Sequence, residues 1–134
     1  MFPQSLLLID DNDDCITLVK FVLRQDTNWQ ILIATDAKEG IAKAKLEHPD
    51  VILLDIVMPE FDGLDIYKIL KSDFRTANIP IIFTTAMTPI VPILESEITE
   101  KVDVIIKPFD VTELAQQITR ICDRYYLPVL ESSA

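Results

Sequence analysis

Four short apolar runs in this chain each end on a polar residue able to do chemistry. Leu6-Leu7-Leu8-Ile9 runs into Asp10 and Asp11, and Val51-Ile52-Leu53-Leu54 into Asp55. Ile79-Pro80-Ile81-Ile82-Phe83 runs into Thr84 and Thr85, and Val104-Ile105-Ile106 into Lys107. Runs this short and this continuously apolar read as strands buried on both faces. Between them lie stretches with helical spacing, so strand and helix alternate five times. That alternation predicts a parallel sheet with right-handed crossovers and helices on both faces. In such sheets the rim beyond the strands' C-terminal ends is where ligands bind. Three acids, hydroxyls and an amine are therefore delivered to one rim.

The predicted elements follow in order. The first strand covers about Ser5 to Ile9, and a helix from Asp13 to Gln25 turns Ile16, Val19 and Leu23 inward. The second strand covers Trp29 to Thr35. Asp36 is the expected N-cap of the next helix, with Glu39 completing a capping box; it carries Ile41 and Ala44 inward and stops near Glu47, because His48-Pro49 disfavours helix. The third strand is Val51 to Leu54, and its helix runs from about Leu64 to Phe74 after an Asp62-Gly63 turn. Ile81 to Thr84 is the fourth strand. Pro89 and Pro92 bar an early regular start, so the fourth helix is placed from Val91 to Lys101, with Pro92 tolerated only in its first turn. A fifth strand from Val102 to Ile106 and a helix from the cap Asp110, with Glu113 closing a capping box, to about Tyr125 complete the domain.

Composition narrows the class. A chain of 134 residues accommodates one domain, and its 49% hydrophobic content is enough for a core. A net charge of −10 argues against nucleic acid, whose phosphates need clustered Lys and Arg, and toward protein partners. Cys15 and Cys122 show neither disulfide framework nor metal spacing and read as reduced core thiols. No signal peptide or membrane-length apolar run is visible, so a cytoplasmic location is expected.

The motifs LLLIDDNDD, VILLDIVMPEFDG, IPIIFTTA and VIIKPF, in this order, resemble the receiver domain of bacterial response regulators, including the stand-alone chemotaxis receivers. The resemblance extends from about Leu6 to about Tyr125. It implies an α/β fold of the flavodoxin-like, doubly wound (βα)5 type, with a receiver domain over residues 1–127 and a short C-terminal tail over 128–134, frayed at its end. It implies that Asp55 accepts a phosphoryl group, with Mg2+ (or Mn2+) held by Asp10, Asp11, Asp55 and the backbone carbonyl of Val57. Lys107 would meet a phosphoryl oxygen, and Lys107-Pro108 would be a cis bond. Of the two threonines, which alternation points to opposite sides, Thr85-Ala86 matches the family pattern and Thr84 does not. The donor would be a histidine kinase or histidine phosphotransfer protein and the downstream protein target is unspecified, with room for a homodimer through the face of the fourth helix, fifth strand and fifth helix. Such a chain is no enzyme toward a separate substrate; it catalyses only its own phosphorylation and dephosphorylation.

Elementary chemistry agrees with that reading. A carboxylate can act as nucleophile toward phosphorus, and the barrier is mainly electrostatic. Magnesium binds through one or two carboxylates, waters and a phosphate, which suits three acids without His or Cys. Each residue also has a plainer reading. Asp10 and Asp11 could cap a helix, Asp62-Gly63 a turn, and Lys107 alone a surface lysine; His48 reads as structural. Asp10, Asn12 and Asp14 mimic the start of a calcium loop, but Cys15 and Phe21 stand where it needs Gly and Glu.

Two departures from the family stand out. Val104 replaces the usual Tyr or Phe three residues before the lysine, and Pro89 and Pro92 alter the neighbouring loop. They support an alternative function, a phosphate-independent receiver-like binding module. In the resembled family the positions two residues after the acceptor and after the threonine influence water attack on the phosphoryl group; here they are Val57 and Met87, apolar and unable to orient water, so slow autodephosphorylation is expected. A dehalogenase-type phosphatase, suggested by Asp11-Asn12-Asp13, would need further acids after the lysine and space for a substrate cap; Asp110 is more simply a cap.

Overall fold

The computed structural model describes residues 3–58 and 63–126. Its elements are β1 (Ser5–Ile9), α1 (Asp13–Asp26), β2 (Gln30–Ala34), α2 (Ala37–Glu47), β3 (Val51–Asp55), α3 (Gly63–Ser72), β4 (Ile81–Thr85), α4 (Ile90–Glu97), β5 (Asp103–Ile106) and α5 (Leu114–Tyr126). All neighbouring strands are parallel and their order is β2-β1-β3-β4-β5. This is the flavodoxin-like doubly wound order that the resemblance implied. The chain turns outward from β1 to β2, then crosses back over β1 to lay β3 on its other side. The crevice between β1 and β3 is therefore the topological switch point, and Asp10 and Asp55 sit at its two strand ends.

The central strands are apolar on both faces because each face has its own helical layer. On one face Leu7, Ile52, Leu54, Ile81 and Phe83 pack with Ala44 of α2, Ile66 and Leu70 of α3, and Leu94 of α4. On the other, Leu6, Leu8, Leu53, Ile82 and Ile105 pack with Val19 and Leu23 of α1 and Leu114, Ile118 and Cys122 of α5. Cys15 and Cys122 are both free and both belong to this second layer; Cys122 is buried and Cys15 only partly so. The far end of α5 is fastened to the sheet through Asp103, whose carboxylate accepts from Arg124 at 2.7 Å and the Tyr125 hydroxyl at 3.0 Å.

Local chemistry explains most boundaries. Asp36 accepts from the Glu39 amide at 2.7 Å, while the Glu39 carboxylate reaches back to the Thr35 amide at 2.8 Å, one residue earlier than in the usual capping box. His48 ends α2 in the left-handed region at φ 48. Two helices differ most from the sequence expectation, while α3 ends at Ser72, two residues before the expected Phe74. α4 starts at Ile90 with Pro92 in its first turn, as proline requires, but stops at Glu97 rather than Lys101. Ile98 turns extended there (φ −113, ψ 124) and buries its side chain in the α2–α4 layer. α5 begins at Leu114, because the Asp110 carboxylate is used by the amide and hydroxyl of Thr112 at 3.0 and 2.6 Å. A turn over 111–113 takes the place of the expected capping box. Asp62, half of the expected turn before α3, and the tail 128–134 lie outside the described residues. None of the described helices is long and apolar enough to cross a membrane.

Candidate functional site: an acid cluster at the switch point

β1 and β3 run side by side, with Ile9 opposite Leu54, so the next residues, Asp10 and Asp55, emerge together. Asp11 follows directly. One carboxylate oxygen from each of Asp10, Asp11 and Asp55 lies within 4.8 Å of the others. Asp10 and Asp55 are buried while Asp11 is exposed, so the cluster opens to solvent on the Asp11 side. The helix-cap role falls to Asn12 instead, whose side chain accepts from the Cys15 amide at 2.8 Å. Asp10 is held by the Asn12 amide on one oxygen at 2.9 Å and by Lys107 on the other at 2.9 Å. Lys107 Nζ stands 3.7 Å from Asp55 Oδ2, and the Val57 amide is 3.2 Å from Asp55 Oδ1. The Lys107-Pro108 bond is cis, as the resemblance implied.

These distances shape the charges. Burial and the neighbouring charge of Asp10 push the Asp55 carboxyl up from 3.8 to about 6, against the pull of Lys107 and the Val57 amide. Burial alone would depress the Lys107 ammonium; its hydrogen bond to Asp10 and the charges of Asp10 and Asp55 overcome this and leave it above its ordinary value. Burial, together with Asp10, pushes the Cys15 thiol up to about 12, so it stays protonated and unreactive. A carboxylate cluster with one side open and only oxygen donors fits a hard divalent cation. Asp10, Asp11 and Asp55 are the side chains placed to hold it.

Thr85 ends β4, next to β3. Its carbonyl accepts from the Lys107 amide at 2.8 Å and its hydroxyl from the Met87 amide at 2.9 Å, which ties it to its own loop. Val57 and Met87 are both exposed, as apolar groups at the rim. A groove of about 990 Å3 lined by residues including Trp29, Thr119 and Arg120 contains none of the candidate residues.

Two residues escaped the sequence reading. Gly63, taken there for a turn residue, lies against the backbone that follows Asp55: a Cβ on it would stand 2.8 Å from Ile56 Cα and 2.9 Å from the Asp55 carbonyl oxygen. Its amide donates to the Ile56 carbonyl at 2.6 Å. Its signal was present in the sequence, as one of only two glycines and close after Asp55. Thr84, set aside in favour of Thr85, is fully buried, its hydroxyl has no hydrogen-bond partner among the described residues, and it lies opposite Asp55.

Comparison with known proteins fits this geometry. A transcriptional regulatory protein of Mycobacterium tuberculosis, TrcR, is 33% identical over 123 residues, covering 91% of this chain and 46% of that protein. The chain spans about half the length of this and other curated relatives it matches. Among solved structures, a putative response regulator from Chloroflexus aurantiacus superposes with a TM-score of 0.80 at 26% identity, covering 91% of this chain and 99% of that one. The chemotaxis protein CheY4 of Vibrio cholerae does so with a TM-score of 0.77 at 26% identity, covering 87% and 97%. The family model of the response regulator receiver domain matches residues 6–119, and the chain belongs to that family.

Proposed function

We propose that this receiver domain is a phosphorylation switch whose acceptor is Asp55. The observation that carries the reading is the placement of one buried carboxylate, Asp55, between two further acids and the Lys107 ammonium at the switch point. An Asp55 oxygen attacks the phosphorus of a phosphohistidine on a histidine kinase or phosphotransfer protein. The new bond is O–P; the N–P bond breaks, and its electron pair stays on the imidazole. Bound Mg2+, or Mn2+, would neutralise phosphoryl oxygens and hold the attack in line. Asp10, Asp11, Asp55 and the Val57 carbonyl would hold that cation. Lys107 offers a point charge to a phosphoryl oxygen, and Thr85, released from the Met87 amide, offers a hydroxyl. The site needs no deep pocket, because the donor is itself a protein. Output follows by docking to another protein or by passing the phosphoryl group on, and the face of α4, β5 and α5 is the surface proposed for docking or self-association.

The test is incubation with magnesium and acetyl phosphate, read by intact mass beside Asp55→Asn. One added phosphoryl group, lost in the variant, is the expected result. No gain from acetyl phosphate or from a phosphorylated donor protein overturns the reading. It would leave the second one, a phosphate-independent binding module, which Val104 and the prolines at the start of α4 favour.

A further inference from the structure

The strand registers place one transverse row of residues at the floor of the acid cluster. Asp55 lies opposite Thr84, and Thr84 opposite Ile105. Extending the β1–β3 register by one residue brings Asp10 beside Asp55. Paired residues of parallel strands point to the same side, and strands are spaced about 4.8 Å apart. Leu8, Leu53, Ile82 and Ile105 all belong to the α1–α5 layer, so alternation puts Asp10, Asp55, Thr84 and Lys107 on that side as well. Thr85 falls on the opposite side, with Phe83.

Thr84 is thus the lateral neighbour of Asp55, and both are short of partners. Thr84 is completely buried and its Oγ1 makes no hydrogen bond among the described residues. Among the described residues Asp55 has only a long contact from the Val57 amide at 3.2 Å and a Lys107 ammonium at 3.7 Å that is engaged by Asp10 at 2.9 Å. An orphaned buried hydroxyl is a net cost to the folded state, and a valine of the same shape would avoid it. We propose that Thr84 is a positioning residue of the phosphoacceptor site: its hydroxyl donates to the inner oxygen of Asp55 when the outer oxygen turns to the rim. The proposal rests on Asp55 being the acceptor, and it assigns the hydroxyl beneath the site a part distinct from that of Thr85 at its mouth.

The experiment compares the wild type with Thr84→Val and Thr84→Ser by thermal unfolding without metal, by magnesium affinity, and by the rate of phosphoryl uptake from acetyl phosphate. Thr84→Val is expected to raise the melting temperature, because the orphan is gone, yet to slow uptake about ten-fold or more, the loss of one hydrogen bond to a charged oxygen. It should also weaken magnesium binding. Thr84→Ser keeps the donor and should restore both uptake and affinity. A stabilised Thr84→Val with wild-type uptake and affinity overturns the proposal, as does a destabilised one, which would mean the hydroxyl already has a partner. Should the wild type bind magnesium without being phosphorylated, the acceptor reading fails alone and the magnesium affinities still decide the role of Thr84. A wild type that does neither overturns both.

Discussion

Asp55 is held in a state that disfavours its own charge. Its carboxyl sits at about 6 instead of 3.8, because burial and the charge of Asp10 outweigh the help of Lys107. An acid whose folded pKa is raised binds more protons folded than unfolded, so folding favours its protonated form. Its contribution is largest below the unfolded value and is lost as pH rises through the folded one. In the absence of divalent cations, stability should therefore fall between about pH 4 and 6, by an amount on the order of 3 kcal/mol, and level off above. The groups that set this are Asp10, Asp11 and Lys107. Asp55→Asn should flatten that segment of the melting-temperature profile and melt higher than the wild type at pH 7.5; a variant no more stable there would contradict the electrostatic picture. In the proposed switch, the rim residues bear on loss of the phosphoryl group. Val57 and Met87 are exposed and apolar, with no group to orient an attacking water. The phosphorylated wild type should be long-lived, and Val57→Asn with Met87→Glu should shorten the half-life several-fold in a mass-spectrometric time course, with unchanged lifetime sinking the idea.

At the scale of elements, the strands were the most legible part of the sequence. Each is a short apolar run closed by a polar residue, and every strand lies within one or two residues of its expected bounds; for β1, β3 and β4 burial on both faces leaves no other place for such a run. The acid cluster was legible for the same reason: it occupies the first positions beyond those runs. Helix ends were less legible, since they are settled by competition between contacts, some local and some tertiary. Ile98 leaves α4 to bury itself, and Asp110 prefers Thr112 to the Glu113 amide. Neither choice has a sequence period. Gly63 was missed because its reason is a close approach from the start of α3 to the end of β3, which only the packed structure reveals. That approach makes a prediction about how α3 supports the site. A methyl group at Gly63 meets backbone at 2.8 and 2.9 Å, and backbone cannot rotate aside as a side chain can. Gly63→Ala should displace the segment carrying Asp55 and Ile56, lower the unfolding midpoint in urea, and slow phosphoryl uptake. Gly40→Ala is the control: its Cβ would meet the Ile9 side chain at 2.7 Å, on β1, so it should cost stability with less effect on uptake.

For the whole molecule the question is how far a change at Asp55 travels. The charge already present on Asp55 makes the net gain on phosphorylation small, since a phosphoryl group carries about −1.5 to −2 near neutral pH. What changes is reach, toward Lys107 and Thr85. Inverting a population from 1:99 to 99:1 takes roughly 5.5 kcal/mol of differential interaction, so the new contacts must bias an element with two arrangements. Thr85 is linked to the α4 loop through Met87, and to β5 through the Lys107 amide. Beyond it on β5 stands Val104, partly buried against the α2–α4 layer, where an aromatic ring would have offered two discrete positions. Valine has a short, stiff side chain and gives the sheet edge little to flip. The response should therefore run along the loop into α4, whose proline-containing first turn adjoins it, and fade before Ile106 and Tyr125. Hydrogen exchange on the phosphorylated and unphosphorylated protein should change over residues 85–94 and stay level over 103–106 and 120–126. Val104→Tyr should extend the change into β5. Equal changes in β5 and α5 of the wild type would show that coupling crosses this face without an aromatic switch, through packing of the sheet itself.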